Sequence, residues 1–564
     1  MSEKLNSYAQ YSYNSQNKIT DRDILSNPDD FNPWQLPENP FDYVALLNWL
    51  EVTKGQSVIK DERDYGKKVA IVGAGCAGTI AARELMRVGI HPIVYEASGR
   101  IGGRTYSHRF EADPQALVEM GAMRIPTIHR TVYHLLDSWG IRYKTFPDPL
   151  VVNTQFYING KNLFYDSATQ TYHPEGELVQ QIKEITAKWH DIIAPITNKM
   201  REVWDNPIKR RELWNTYVEQ YKNKILFEVL NEAGWNEKET DLFAVLGVGS
   251  GGFGPFYENS FLEILRIEIH LDETDQQLII GGVSQIPQNL WEGWIDCRYW
   301  GSMCVANLQE EGKPRSRVTE IITDENNPQA PVLVRDEQGN VEQYDAVIIT
   351  CSLRALEMNI KINRSTFNDD VWKAIRNFPL TNSGKIAILT KSAFWKQPQF
   401  QQLCTTLTDL PIQQVYFFDS SDFGSETETG VVILSYSWSD SATKFDALDP
   451  EQRVALCFQC IEEIYGPEVS EMMREQTIEH CVWSWEEAYG YHGGFRMASP
   501  GQEEKHWALF KQGKRVSQSN GVYLAGEAIA WLGLSGWIEG ALQTGLDTFL
   551  SVTDRINSLR ITLT

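Results

Sequence analysis

Lys67-Lys68-Val69-Ala70-Ile71-Val72-Gly73-Ala74-Gly75-Cys76-Ala77-Gly78, running on through Thr79 to Val88, is the stretch on which the fold turns. The apolar run ending at Val72 reads as a buried parallel strand, because a strand covered on both faces loses the polar alternation of a half-exposed one. Gly73 permits the tight turn that follows. Gly75 lets a pyrophosphate approach the backbone, and Gly78 lets helix and strand touch. Thr79 to Val88 has helical spacing with charges at Arg83, Glu84 and Arg87, and Gly89 supplies the stop. The N-terminus of that helix presents unpaired N–H groups and a positive dipole to phosphate. A second strand, His91 to Tyr95, ends in Glu96, where an acid accepts hydrogen bonds from ribose hydroxyls. A Gly-x-Gly-x-x-Gly alone is weak. With strand, helix and acid in register, it reads as the βαβ start of a dinucleotide-binding domain.

Working outward, residues 1–65 are rich in Asn, Asp and Pro around one apolar island, Phe41 to Leu50, and read as an arm with one short helix lying on the main body. Residues 125–245 read as mostly helical, with long runs at Glu177 to Lys199 and Ile208 to Ala233. Short strands return at Arg317 to Thr323, Val332 to Arg335 and Ala346 to Thr350, then at Lys385 to Thr390 and Val431 to Trp438. A helix is expected at Gln452 to Ile464, a strand at Gly521 to Gly526 and a helix at Trp537 to Leu550. Strands suited to one sheet thus lie near both ends of the chain and in its middle. A nucleotide-binding domain assembled from separated segments, with a second domain inserted between them, accounts for this economically.

The chain has 564 residues, and Lys+Arg 52 against Asp+Glu 75 gives a net charge of -23. That balance disfavours nucleic-acid backbones and anionic membrane surfaces as partners. No run approaches the roughly 18 apolar residues of a membrane helix. Met1 to Tyr13 is polar, without the apolar core of a secretory signal. The eight Cys are scattered, and Cys457 and Cys460 form the lone Cys-x-x-Cys inside an apolar run. It reads as a buried helix face, so no metal site is expected and a reducing cytoplasm fits. Aromatic residues make up 11%, with Trp 18, which favours large apolar cavities or stacking sites.

After Glu96 comes Ala97-Ser98-Gly99-Arg100-Ile101-Gly102-Gly103-Arg104. Its paired glycines can offer N–H groups to an anion, and Arg104 can neutralise a second phosphate face. Spacing alone leaves FAD and NAD both open. At these residues, however, the sequence resembles the flavin amine oxidases of the glutathione-reductase-like FAD superfamily. The likeness continues through Glu119-Met120-Gly121-Ala122-Met123-Arg124, Gly281-Gly282-Val283, Ser383-Gly384-Lys385, Leu434-Ser435-Tyr436, Leu524-Ala525-Gly526-Glu527 and Gly536-Trp537-Ile538-Glu539-Gly540-Ala541. It spans about residues 66 to 550. Within the family, Gly121 to Pro126, Thr145 to Pro149 and Gly249 to Phe253 resemble L-amino-acid oxidases and tryptophan 2-monooxygenase. Asn259 to Arg266 and Gly281 to Trp291 look most like lysine 2-monooxygenase and its oxidase relatives.

The resemblance implies an α/β fold with an α+β substrate domain. The FAD-binding Rossmann domain would comprise 66–124, 275–365 and 515–555. A mainly helical subdomain would occupy 125–274 and a substrate-binding domain with a mixed sheet 366–514, after the 1–65 extension. FAD would be held by Gly73, Gly75, Cys76, Ala77, Gly78, Glu96, Ala97, Gly103, Arg104 and the turn Gly121, Ala122, Met123 and Arg124. Val318 would meet the adenine and Glu527 the pyrophosphate or ribityl side. Gly536, Trp537, Ile538 and Ala541 would set a helix N-terminus near the flavin pyrimidine, a site that suits the negative charge of reduced flavin.

An α-amino acid needs a cation for its carboxylate. Arg124 supplies a fork that binds carboxylate bidentately in a dry pocket, although an Arg there also suits an FAD phosphate or a structural ion pair. The resemblance favours substrate and aligns Tyr436 as a second carboxylate partner. It puts Lys385 beside flavin N5 through a water, where a cation assists oxygen reduction. Trp537 would form one side of an aromatic cage and Gly536 would accept the amine N–H through its carbonyl; Trp485 and Tyr491 are weaker cage candidates. Trp438, two residues after Tyr436 on the same strand face, reads equally as pocket wall or as core.

The activity implied is oxidation of a free L-amino acid by FAD and oxygen to a 2-oxo acid, ammonia and hydrogen peroxide. The alternative is a 2-monooxygenase yielding amide and carbon dioxide. The side chain is basic (arginine) or large and aromatic or hydrophobic. A binding-only flavoprotein is the contrasting class, disfavoured by retention of Arg124, Tyr436 and Lys385. A homodimer or higher homo-oligomer is the assembly considered. Two departures from the family pattern stand out: extra residues around Leu532 to Ser535, and Phe256 and Asp272 where lysine-selective relatives carry an acid and a Cys. Glu258, Glu268 and Asp272 remain as acids for a cationic side chain or as plain surface charge.

Overall fold

The computed structural model describes residues 41–56, 58–246, 259–270, 275–299, 302–311, 314, 316–400, 402–512, 520–530 and 534–558. The opening strand, Lys68–Val72, lies inside a four-stranded parallel sheet ordered His91–Tyr95, Lys68–Val72, Ala346–Ile349, Val522–Leu524. Strands from the start, middle and end of the chain therefore pair side by side. Successive side chains of a strand face opposite ways. Accordingly Val69 and Ile71 join a core with Ile80, Leu85 and Leu546 from two helices. Ala70 and Val72 join another with Val318, Ile321, Val332 and Val334 from a second sheet layer.

The helix Cys76–Arg87 starts directly after Gly75. A Cβ on Gly78 would collide with the Gly73 carbonyl and lie 2.9 Å from Thr350 Oγ1. On the helix Ile538–Ser558, a Cβ on Gly545 would collide with the Ala77 carbonyl. These two glycines let three backbones close up around the turn after Val72. Within the described residues of the N-terminal arm, the helix Tyr43–Thr53 buries Tyr43, Leu46, Leu47 and Leu50 in the same core.

The second large element is an eight-stranded mixed sheet, ordered Thr477–Ser484, Ser383–Thr390, Gly430–Trp438, Gln414–Asp419, Thr405–Thr408, Thr154–Ile158, Lys161–Asp166, Thr171–His173. Its last three strands come from the stretch expected to be mainly helical. Two of them flank the turn Asn159-Gly160, whose φ values are 53° and 72°. A two-residue Asn-Gly loop with positive φ throughout matches the right-handed twist of a hairpin, so the signal was present in the sequence. The expected helical run Ile208 to Ala233 also divides, into Pro207–Tyr221 and Leu226–Glu232. Tertiary pairing breaks it: Ile225 bridges Ser260, and Leu226 N–H donates to the Asn259 carbonyl. Cys457 and Cys460 sit buried on the helix Pro450–Tyr465. No helix among the described residues is long and apolar enough to cross a membrane.

Candidate active site

A cleft of about 2150 Å³, its open mouth included, runs along the carboxyl ends of the parallel strands, where Val72, Tyr95, Thr350 and Gly526 line it. Open α/β sheets place their ligand sites in this position. At one end, Gly75, Cys76 and Ala77 present the N-terminus of the Cys76–Arg87 helix to the cavity. Glu96 stands beside it: one carboxylate oxygen accepts from Ala74 N–H at 2.8 Å, the other from Ser98 N–H at 2.8 Å and Oγ at 2.7 Å. A carboxylate has about four acceptor positions, so one remains for a ribose hydroxyl. Gly102 and Gly103 fold back on this loop through the Gly102 N–H bond to the Ala74 carbonyl, 2.9 Å. Burial pushes the thiols of Cys76 and Cys351 up to about 11 and about 12, so both remain protonated walls. An anion-ready helix end, a ribose acceptor and a long cleft fit FAD.

Arg104 has a more internal role than phosphate neutralisation alone. Its Nη1 donates to Glu527 Oε1 at 2.6 Å and to the Gly494 carbonyl at 2.9 Å, while Glu527 Oε2 accepts from Gly536 N–H at 2.8 Å. One carboxylate thus ties the Arg104 loop to the turn preceding the helix Ile538–Ser558. Gly536 holds φ at +82°, which favours glycine at that turn. Trp537 packs edge-on against His129, ring centroids 5.2 Å apart. Burial lowers His129 to about 4 against the raising influence of Glu539, so its ring is neutral near pH 7. Glu539 fixes this corner by accepting the N–H groups of Thr131 and Val132 at 3.0 and 2.9 Å.

At the other end of the cleft stands Arg124. Its guanidinium lies 5.8 Å from the ring centroids of Tyr436 and of Phe146, and 6.0 Å from that of Trp438. Asp148 Oδ1 is 3.5 Å from Nη1, a loose pairing between largely buried side chains. Tyr436 and Trp438, two residues apart on one strand face, meet edge-on at 77°, centroids 4.8 Å apart. Arg124, Tyr436, Trp438, Gly536 and Trp537 all line the one cavity, as do Ala97, Gly103, Gly121, Ala122, Met123, Val318, Ile538 and Ala541.

Lys385 sits behind Gly121. Register pairs Lys385 directly with Tyr436, and its Nζ lies 4.4 Å from that ring's centroid. The amine donates to the carbonyls of Glu119 and Gly121 at 2.8 and 2.7 Å. Burial lowers Lys385 to about 7, opposed by the Glu119 carboxylate and assisted by Arg124. Burial likewise raises Glu119, whose carboxylate accepts from Val283 N–H at 2.7 Å and Ser107 Oγ at 2.8 Å.

Several lining residues escaped the sequence reading. Ile267, Phe495 and Met497 add apolar wall. Glu263, also lining, is flanked by Arg496 at 3.4 Å and Arg266 at 3.8 Å, all three deeply buried. Only the helical spacing of Phe261–His270 hinted at an inward face there. Trp485 donates to the Met120 carbonyl at 3.0 Å, and Tyr491 hydroxyl reaches Ser98 and Arg100 at 3.1 Å, on the Glu96 side. Glu268 is outside this lining; Gly249 to Phe253, Phe256, Glu258, Asp272 and Leu532 lie outside the described residues.

A nucleotide-ready parallel sheet sharing one cleft with an aromatic-walled guanidinium defines a dinucleotide-dependent oxidoreductase in architecture. The family model described as flavin containing amine oxidoreductase matches residues 76–548, and the chain belongs to that family, with FAD as cofactor. It is 31% identical over 550 residues to tryptophan 2-monooxygenase of Pseudomonas savastanoi, covering 91% of this chain and 94% of the relative. It is 24% identical over 492 residues to a putative L-amino-acid oxidase, YobN, of Bacillus subtilis, covering 86% and 94%. Among solved structures, a putrescine oxidase bound to putrescine superposes with TM-score 0.63 at 17% identity, over 86% of this chain and 98% of that one, which shows the shared fold.

Proposed function

We propose that this chain oxidises a free L-amino acid with a large aromatic side chain, using oxygen, and that it does so as an amino-acid 2-monooxygenase: amino acid and oxygen give amide, carbon dioxide and water. The observation carrying the reading is the Arg124 guanidinium 5.8 Å from the Tyr436 ring, in the cleft that the nucleotide-binding helix also faces. Bound FAD supplies the acceptor for the hydrogen and two electrons that leave Cα. Arg124 holds the carboxylate through its fork, and the Tyr436 hydroxyl shares it. Two fixed points on the carboxylate orient Cα, so one enantiomer presents its C–H. Phe146 and Trp438 exclude water around the guanidinium, which strengthens its grip. The substrate ammonium sheds a proton before reaction; no side chain is assigned as its base.

Trp438, Phe495, Met497 and Ile267 make an apolar wall for the substrate side chain. A basic side chain suits this wall less. The lining acid Glu263 already faces two guanidinium groups, so its charge is compensated. The likeness to tryptophan 2-monooxygenases supports both the aromatic preference and the amide outcome over release of a 2-oxo acid. Oxidative deamination is the second reading, supported by the likeness to YobN.

Anaerobic addition of L-tryptophan, L-phenylalanine and the remaining L-amino acids to the yellow holoenzyme tests the first half. Bleaching by aromatic substrates is expected, and bleaching by none would sink the reading. Aerobic product analysis then decides the second half: amide with carbon dioxide supports the monooxygenase, whereas 2-oxo acid with ammonia and stoichiometric peroxide replaces it with the oxidase.

A further inference from the structure

Outside the cleft, strands Ile295–Tyr299 and Ser302–Ala306 form an antiparallel hairpin on the core shared with the Cys76–Arg87 helix. Its register sets Cys297 directly opposite Cys304. Directly opposed antiparallel residues have Cα atoms about 4.5–5.5 Å apart, inside the roughly 4.4–6.8 Å range a disulfide spans. The two Sγ atoms already approach to 2.7 Å. Cys297 is fully buried against the core and Cys304 is half-buried, so one sulfur is reachable from solvent and the other waits behind it. We propose that Cys297 and Cys304 form an oxidisable dithiol that hydrogen peroxide closes into a cross-strand disulfide.

The step balances. The Cys304 thiolate attacks peroxide; the O–O bond breaks, leaving a sulfenic acid on Cys304 and, after proton uptake, one water. The Cys297 sulfur then attacks the sulfenic sulfur; the S–S bond forms, the S–O bond breaks, and a second water leaves. Two thiols lose two electrons and two protons, and one peroxide becomes two waters. Selectivity rests on geometry: Cys297 and Cys304 face each other across the hairpin, and Cys304 reaches solvent. The other six cysteines, Cys76, Cys351, Cys404, Cys457, Cys460 and Cys481, are all held protonated by burial. None of those six faces another Cys across a described strand pair. Closure would staple the hairpin and restrict the unfolded chain.

The FAD-loaded full chain is treated with a small molar excess of hydrogen peroxide, alkylated, and digested with trypsin without reductant. Arg298 separates the two cysteines, so trypsin leaves them on different peptides that only a disulfide joins. Expected are an intact mass lower by two hydrogens and a Cys297–Cys304 linked pair that reductant dissolves. The oxidised protein should also melt a few degrees above the reduced one, a gain that Cys304→Ser abolishes. Should C304S fail to fold, the wild-type map alone decides. Full alkylation of both thiols, Cys304 carried to sulfinic acid without a linked peptide, or linkage to other cysteines would each overturn the proposal.

Discussion

Replacing Arg124 with alanine tests the proposed carboxylate grip. Side chains of Arg124 and Asp148 are only 9% and 7% exposed, so water screens this corner weakly. A hydrogen bond to a charged group is worth about 1.5–3 kcal/mol net, and truncating one partner of a buried charge pair costs about 2–5 kcal/mol. The variant also removes the guanidinium that Asp148 lies against. Taking about 3–4 kcal/mol, at about 1.4 kcal/mol per decade, kcat/KM for an aromatic amino acid should fall roughly 10²- to 10³-fold. The loss should appear in anaerobic flavin bleaching followed by stopped flow, with the visible flavin spectrum retained. Arg124→Lys should recover part of it, because charge returns without the fork. The decisive control is an aromatic amine lacking the carboxylate, such as 2-phenylethylamine. Wild type should bleach slowly with it, and Arg124→Ala should be no slower. An equal loss on both substrates, or unchanged bleaching with the amino acid, would refute the assignment.

Trp438→Ala should lower kcat/KM for aromatic substrates by about tenfold or more while sparing small aliphatic ones, since roughly 1–3 kcal/mol of apolar contact is removed; an equal loss across substrates returns Trp438 to the core. Gly78→Ala forces a Cβ into the Gly73 carbonyl, and at about 1–3 kcal/mol of overpacking it should lower the melting temperature and the bound flavin together. Lys385→Met should slow flavin reoxidation or change the product partition by more than it weakens substrate binding, read from oxygen-dependent stopped flow; a purely KM effect contradicts that role. The same variant changes the pH dependence of stability. Wild-type Lys385 titrates near 7 when folded, below its ordinary value, so above pH 7 the unfolded chain holds a proton that the native state lacks. Wild-type stability should therefore gain on Lys385→Met as pH rises from 7 to 8.5, in urea unfolding.

The nucleotide end was legible because its signals are local: a buried strand, spaced glycines and an acid at a strand tip. Even the pairing of three distant strands followed from their shared apolar character. Arg124 and Tyr436 are another matter. No periodicity links them, and they were matched through family resemblance, with the strand register of Lys385 opposite Tyr436 supplying the geometry. The Glu263 cluster was no more than hinted at: Glu263 and Arg266 share the helix Phe261–His270, but Arg496, which completes the cluster, comes from a distant segment. The Arg104–Glu527 bridge was hidden likewise by its separation along the chain. The Asn159-Gly160 hairpin differs from these, since its local turn chemistry was readable but was outweighed by the helical runs around it.

Lys385 shows why position and chemistry have to be separated in this site. A protonated lysine offers three donors; a neutral one offers two. The structure gives Nζ two carbonyl acceptors, those of Glu119 and Gly121, so loss of a proton leaves both bonds intact and frees a lone pair. Burial and the neighbouring Arg124 both push toward that neutral form. The two carbonyls belong to the segment leading into Arg124, so Lys385 also braces the backbone that carries that guanidinium. Removing the amine therefore disturbs the segment that carries Arg124, and the division of its effect between kcat and KM separates a bracing role from the proposed chemistry.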